Sequence, residues 1–161
     1  MNLQSIETFT DSRVCIYDYM PITGRERVIQ KILSGLTSKP KYISSIFFYD
    51  DAGSRLFEEI TKLPEYYLTR TEMRLIKQAA VQIGYSLRTM DIVELGSGDC
   101  SKISTLIGTI PSLSEGSIRY IPVDVSRSAI KESADLLSVR FPRISIQGIV
   151  MDFMNRLDRI P

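Results

Sequence analysis

Asp91-Ile92-Val93-Glu94-Leu95-Gly96-Ser97-Gly98-Asp99-Cys100-Ser101-Lys102 is the stretch on which the fold turns. A short apolar run breaks into a Gly-Ser-Gly turn, and a helical pattern follows from Lys102 to Ile110, apolar at Ile103, Leu106, Ile107 and Ile110. Strand, tight turn and helix in that order open an α/β nucleotide-binding unit. Gly96 and Gly98 can take backbone angles closed to other residues, and without a Cβ they let a ligand approach the main chain. The helix that follows offers unpaired N–H groups and a positive dipole end. A Gly-x-Gly alone is weak evidence, so its surroundings decide what it holds.

Downstream, Ser117 to Val125 is rich in β-branched and aromatic residues and predicts a second strand, ending Val123-Asp124-Val125. Ser126 is a good N-cap for a helix to about Arg140, with Ile130, Ala134, Leu137 and Phe141 as its inner stripe. Pro142 breaks it, and Ile144 to Met151 predicts a third strand closing on Asp152-Phe153. Strand and helix alternating at this spacing mean a parallel unit with right-handed crossovers.

Upstream, residues 1 to about 21 show no clean period and read as an extended arm. Thr23-Gly24-Arg25-Glu26 has capping-box form, and Val28, Ile29, Ile32, Leu33 and Leu36 then share one helical face, predicting a helix docked on the core. Gly35 and Lys39-Pro40 mark its end. Asp51 is the candidate N-cap of a short helix with Leu56, Phe57, Ile60 and Leu63 on one side, stopped by Pro64. A second capping box, Thr69-Arg70-Thr71-Glu72, predicts a helix burying Met73, Ile76, Ala80 and Ile83. The aromatics Tyr49, Tyr66 and Tyr67 read, on pattern alone, as core or rim.

The expected fold class is therefore α/β: residues 1–86 a mostly helical cap, and 87–161 the first half of a doubly wound, Rossmann-like parallel sheet of about three strands. Such a sheet continues on the far side of its first strand. Ile92-Val93-Glu94-Leu95 is too apolar for an edge open to water, so the reading expects either a longer protein or self-association through that edge.

Composition narrows the function. A net charge of +1 makes no electrostatic case for nucleic acid or an anionic membrane. No apolar run approaches the roughly 20 residues that span a bilayer. The first residues lack the basic and apolar regions of a signal peptide. Cys15 and Cys100 lie far apart and read as free thiols, so the expected location is the cytoplasm. There is no histidine, which excludes Ser-His and Cys-His catalysis and His-ligated metals within these residues.

Ligands of open α/β sheets collect at the carboxyl ends of the strands, and here those ends carry Glu94, Asp124 and Asp152. An acid after the second strand suits two ribose hydroxyls. One after the third can accept from an adenine amine while the Phe153 N–H donates to the ring. NAD and an adenosyl cofactor both fit these two features. A dinucleotide fingerprint prefers glycine where Ser101 stands, and Lys102 can pair with a lone carboxylate, which favours S-adenosylmethionine over NAD. Asp152, Asp124, Lys102 with the Gly96-Ser97-Gly98 turn, and the acidic surroundings then answer adenine, ribose, carboxylate and sulfonium. A module that binds an adenosyl group without catalysis, and an NAD-dependent oxidoreductase, stay open as alternatives.

The string from Tyr49-Asp50-Asp51-Ala52-Gly53-Ser54-Arg55-Leu56-Phe57 through Leu63-Pro64-Glu65-Tyr66-Tyr67-Leu68-Thr69-Arg70-Thr71-Glu72 closely resembles the signature of the histidine-specific, S-adenosylmethionine-dependent methyltransferase family. The likeness continues through Glu94-Leu95-Gly96-Ser97-Gly98, Lys102, Val123-Asp124-Val125 and Asp152-Phe153, over about residues 28 to 155. It implies methylation of the α-amino nitrogen of a small amino acid, histidine-like, with S-adenosylmethionine as methyl donor. It implies cofactor contacts at Gly96, Lys102, Asp124, Asp152 and Phe153, a substrate contact at Tyr66, and Tyr49 near the reacting amine. The turn here lacks a third glycine, at Cys100-Ser101. The resemblance also implies that the groups holding the substrate's imidazole and carboxylate belong to a second half beyond this sequence, which leaves these residues as the cofactor-binding half, with little or no turnover alone.

Overall fold

The computed structural model describes residues 5–8, 12–20, 25–83, 90–110, 118–155, 157 and 160. In chain order its elements are β1 (Ser5–Thr8), β2 (Val14–Asp18), α1 (Arg25–Thr37), a 3-10 turn at Ser45–Phe48, α2 (Asp51–Lys62) and α3 (Tyr67–Ile83). The α/β unit follows as β3 (Asp91–Leu95), α4 (Ser101–Gly108), β4 (Ile118–Asp124), α5 (Arg127–Arg140) and β5 (Ile144–Val150), with a last 3-10 turn at Phe153–Asn155.

The strands form one sheet in the order β1-β2-β5-β4-β3. The last four run parallel, and β1 pairs antiparallel with β2. The three predicted strands are present, and the α/β class holds. The count of about three is corrected to five, because the segment expected to be an extended arm contributes two strands, Ser5–Thr8 and Val14–Asp18. Val14 faces Ile146 and Asp18 faces Val150 along a parallel ladder. In β2 the residues Val14, Ile16 and Asp18 are buried while Cys15 and Tyr17 are half-buried, the period of two that a sheet requires. Five residues are too few to show that period against an acidic, polar flank, and the partner strand lies far along the chain. The first 86 residues thus contribute strands as well as helices.

Helices α4 and α5 both pack on one face of the sheet. There Val14, Ile103, Ile107, Ile118, Tyr120, Leu137, Ile144 and Ile146 are buried, with Ile92 and Phe141 against them. Each such aliphatic side chain contributes roughly 1.5–3 kcal/mol on burial. On the other face Ile121, Val123, Ile149 and Met151 are buried with Tyr19 and Phe153 packed on them. Almost every residue of β4 is buried, as in a central strand covered on both sides. β3 ends the order among the described strands, with Ile92 and Glu94 turned inward and half-buried and Val93 and Leu95 42% and 45% exposed. The apolar strand expected at an edge therefore lies at one.

Local expectations fare unevenly in the helices. Ser126 caps α5, its Oγ accepting from the Ala129 N–H at 3.2 Å. The cap of α2 is Asp50, not Asp51: its Oδ1 accepts from the Gly53 N–H at 2.7 Å, and Asp51 is the first helical residue. The second capping box is not one. α3 starts at Tyr67, after turns in which the Tyr66 and Tyr67 N–H groups donate to Leu63 and Glu65, so Thr69 and Glu72 sit inside the helix. Thr23 and Gly24 of the first box lie outside the described residues. The docking stripe of α1 is corrected as well, since Ile29, Leu33 and Leu36 are exposed and only Gly35 is buried. Leu56, Phe57 and Ile60 of α2, Leu63 at its C-cap and Ile83 of α3 are exposed too, whereas Ala80 is buried as expected. Periodicity identifies a helix's apolar face and is silent about what covers it.

Candidate functional site

Four parallel strands end in acids: Asp18 on β2, Asp124 on β4, Glu94 one residue before the end of β3, and Asp152 just beyond β5. Between β3 and α4 the chain reverses through Gly96 and Gly98, at φ of 66° and 51°. That left-handed region is costly for any residue with a Cβ, which is the physical need for glycine at both positions. A Cβ at either would meet no atom within 4 Å, so the outer side of the turn is open to a ligand.

The turn is held from β4. The Gly96 N–H donates to the Val123 carbonyl at 2.8 Å, and the Gly98 N–H donates to Asp124 Oδ2 at 2.9 Å. Asp124 Oδ1 accepts from the Ser126 N–H at 2.9 Å, and the Asp124 carbonyl accepts from Met151 N–H at 2.8 Å. One buried carboxylate thus ties the glycine turn to the start of α5. A carboxylate has about four acceptor positions, so two remain for a diol. Ser133 Oγ reaches the Gly98 carbonyl at 3.3 Å from the next helix. The buried Ser97 hydroxyl has no partner among the described residues. Asp152 Oδ1 accepts from the Met154 N–H at 3.2 Å, and Phe153 heads the last 3-10 turn beside it.

Lys102, in the first turn of α4, lies between two carboxylates. Its Nζ is 3.6 Å from Glu72 Oε1 of α3 and 3.7 Å from Glu94 Oε1. Glu94 Oε2 accepts from the Tyr120 hydroxyl at 2.7 Å. Burial pushes the Glu94 carboxyl above its ordinary value, and the Tyr120 hydrogen bond and Lys102 only partly oppose this. Burial also pushes the Tyr120 phenol far up, with the Glu94 carboxylate adding to it, so the phenol stays a donor.

The raised Glu94 value carries a sign. An acid whose folded value lies above its unfolded one gains stability from being protonated; that stability is present at low pH and lost as pH rises through the interval between the two values. Glu94→Gln, which keeps an acceptor for Tyr120, is expected to raise the thermal midpoint at about pH 8, with the gain shrinking toward about pH 4. Melts at the two pH values check it, and an equal gain at both would mean that ionisation is not the cause.

Tyr49 lies at the same end of the sheet. With Asp50, Val125, Ser126, Arg127, Ser128 and Lys131 it lines an open cleft of about 550 Å³. Tyr66 is half-buried and packs edge-on against Phe57, ring centres 6.0 Å apart, between α2 and α3. A larger groove, about 660 Å³, is lined by α3 alone through Thr69, Arg70, Met73, Arg74, Lys77, Gln78 and Val81. None of the strand-end carboxylates is among its lining residues.

Three neighbours of the site were not foreseen. Asp18 pairs with Arg127 at 3.5 Å and lay in a segment read as an arm. Tyr120 carried no signal, since a mid-strand tyrosine reads as core. Glu72 was read as a capping residue. The described residues hold no His/Cys/Asp/Glu group able to bind a metal ion, and no described helix is long and apolar enough to cross a membrane.

A glycine turn tied by a carboxylate on the adjacent strand, on a parallel sheet with acids at its carboxyl ends, is the arrangement of a Rossmann-like nucleotide-binding fold. Residues 28–161 match the model of the histidine-specific, S-adenosylmethionine-dependent methyltransferases, and the chain belongs to that family. It is 35% identical over 139 residues to the histidine N-alpha-methyltransferase of Mycolicibacterium smegmatis, covering 86% of this chain and 43% of that protein. The enzyme of the same name from Mycobacterium tuberculosis is 34% identical, with the same coverage of both chains. The N-methyltransferase fsqC of Aspergillus fumigatus is 31% identical over 143 residues, covering 86% of this chain and 39% of its own. The chain thus spans about two fifths of the length of these relatives.

Proposed function

We propose that this chain is the cofactor-binding part of an S-adenosylmethionine-dependent methyltransferase that methylates the α-amino group of a histidine-like amino acid. The observation that carries the reading is the tie from Asp124 to Gly98, which brings a carboxylate with acceptor positions to spare against a turn open to a ligand. Asp124 would hold the ribose diol, Asp152 and the Phe153 N–H the adenine, and Lys102 with Gly96, Ser97 and Gly98 the methionine end. Bound there, the cofactor supplies an electrophilic methyl group on a sulfonium.

The residues fit that group better than they fit a dinucleotide. Asp99 lies at the amino end of α4, its Oδ1 accepting from the Ser101 N–H and hydroxyl at 3.1 and 2.6 Å. A pyrophosphate placed there would face this carboxylate with Glu94 and Glu72 nearby, whereas a cation is welcome.

For methyl transfer the chain's task is orientation and exclusion of water, which can supply several kcal/mol of the barrier. The amine must attack as the neutral form. Tyr49 and Tyr66 are the residues proposed to line its approach, Tyr49 from the cleft beside Ser126 and Tyr66 from the junction of α2 and α3. The groups that hold the amino acid itself are expected in the part of the relatives outside the matched stretch.

Thermal shift and calorimetry on the chain test this. S-adenosylhomocysteine is expected to raise the midpoint and NAD to leave it unchanged, with histidine not methylated by these residues alone. Stabilisation by NAD and not by S-adenosylhomocysteine would reverse the reading.

A further inference from the structure

Among the described residues, Lys102 is the one cation of a cluster that holds three carboxylates. Glu72 and Glu94 flank its Nζ at 3.6 and 3.7 Å, and Asp99 lies close enough to act on Glu94. Both flanking distances exceed a direct N–H···O hydrogen bond, so they hold the ammonium in place and leave its three donors to spend. The surplus of negative charge, however, is the wrong environment for a ligand that brings a carboxylate alone. A carboxylate arriving at Lys102 meets two others within 4 Å of the same nitrogen, and repulsion at such separations cancels much of the attraction. A ligand end that carries both signs resolves this.

The position of Glu72 supports the point. Its side chain is 54% exposed, while that of Glu94 is 18% exposed and already accepts from Tyr120. A pair as exposed as Glu72 and Lys102 adds little stability. α3 and α4 are joined without it, through Met73, whose sulfur accepts from Thr105 Oγ1 at 3.4 Å. Glu72 also projects from inside α3, where it caps nothing.

We infer that Glu72 is a recognition residue: it accepts the α-ammonium of the cofactor's methionine end while Lys102 takes the carboxylate, so that the two form a clamp for a zwitterionic amino-acid head. This rests on the cofactor reading above and adds to it a residue from the helical segment, which makes α3 a wall of the cofactor site. The same excess of carboxylates favours the sulfonium cofactor over its neutral thioether product.

Three ligands separate the parts of the clamp, titrated calorimetrically into the full chain. S-adenosylmethionine carries both head groups, decarboxylated S-adenosylmethionine keeps only the amine, and 5′-methylthioadenosine has neither. Glu72→Gln is expected to weaken the first two about tenfold and leave the third unchanged. Lys102→Gln is expected to weaken S-adenosylmethionine by about as much and spare the decarboxylated form. Glu72→Ala should repeat the ranking of Glu72→Gln. Unchanged binding of S-adenosylmethionine to Glu72→Gln overturns the inference, and so does an equal loss for all three ligands, which marks a structural role. If the unaltered chain binds none of them, the cofactor reading falls and the clamp with it.

Discussion

Asp124→Ala is expected to abolish measurable binding of S-adenosylhomocysteine and to lower the thermal midpoint of the chain by several degrees. The second effect follows from the hydrogen bonds alone. Two backbone donors, the N–H groups of Gly98 and Ser126, lose their acceptors at once. The buried Ser126 N–H left unpaired costs about 1–3 kcal/mol, and the half-buried Gly98 N–H less. For a chain of this size, 1 kcal/mol moves the midpoint by about 2–4 °C. The first effect follows from the proposed role, since the same carboxylate would receive the ribose diol, and the turn it anchors would relax away from the ligand. A loss of about 100-fold or more is expected from the two together. Asp124→Asn separates them: it keeps one carbonyl acceptor and sets an amide N–H₂ against a backbone N–H. It should sit between wild type and alanine in stability while still failing to hold both hydroxyls. Wild-type affinity in Asp124→Asn would remove the diol from this carboxylate and leave it a structural tie.

The ends of β3, β4 and β5 were legible because each is written locally. Ile92-Val93-Glu94-Leu95 breaks into two glycines, and both take the positive φ that such a break demands. Asp124 and Asp152 could be placed because a strand's last residue points where the sheet's ligands collect. What the local pattern could not carry is partnership at a distance. Glu72 stands three residues after a threonine ahead of an apolar run, the form of a capping box, yet the helix had begun at Tyr67 and the carboxylate reaches Lys102. Nothing near Tyr120 announces that its hydroxyl meets Glu94 on the neighbouring strand. For α1 the apolar stripe is a stripe as expected and yet is not docked on the core, because Leu33 states a preference without naming a neighbour.

β2 is the clearest case, and the second large effect tests what holds it. Gly148 lies in β5 opposite Ile16 of β2 and beneath Ile130 of α5. A Cβ added there would stand 2.6 Å from Ile130 Cγ2 and 3.1 Å from Ile16 Cγ1. Neither neighbour gives way easily: both are β-branched, with χ1 held by the helix or the sheet, and both are buried at 1% exposure or less. Gly148→Ala is therefore expected to destabilise the chain by about 1–3 kcal/mol through overpacking, although alanine normally favours a strand over glycine. Gly148→Val should cost more. The cause can be isolated with Ile130→Ala, which vacates the space and on its own costs about 2–5 kcal/mol. If the clash sets the requirement for glycine, the double variant loses less than the sum of the singles, by about 1 kcal/mol or more. Additive losses would mean that glycine is required for the backbone of β5 and not for the packing of Ile130. The non-additive result would show that the missing side chain at Gly148 leaves a slot which Ile130 of α5 enters most closely, with Ile16 of β2 beside it.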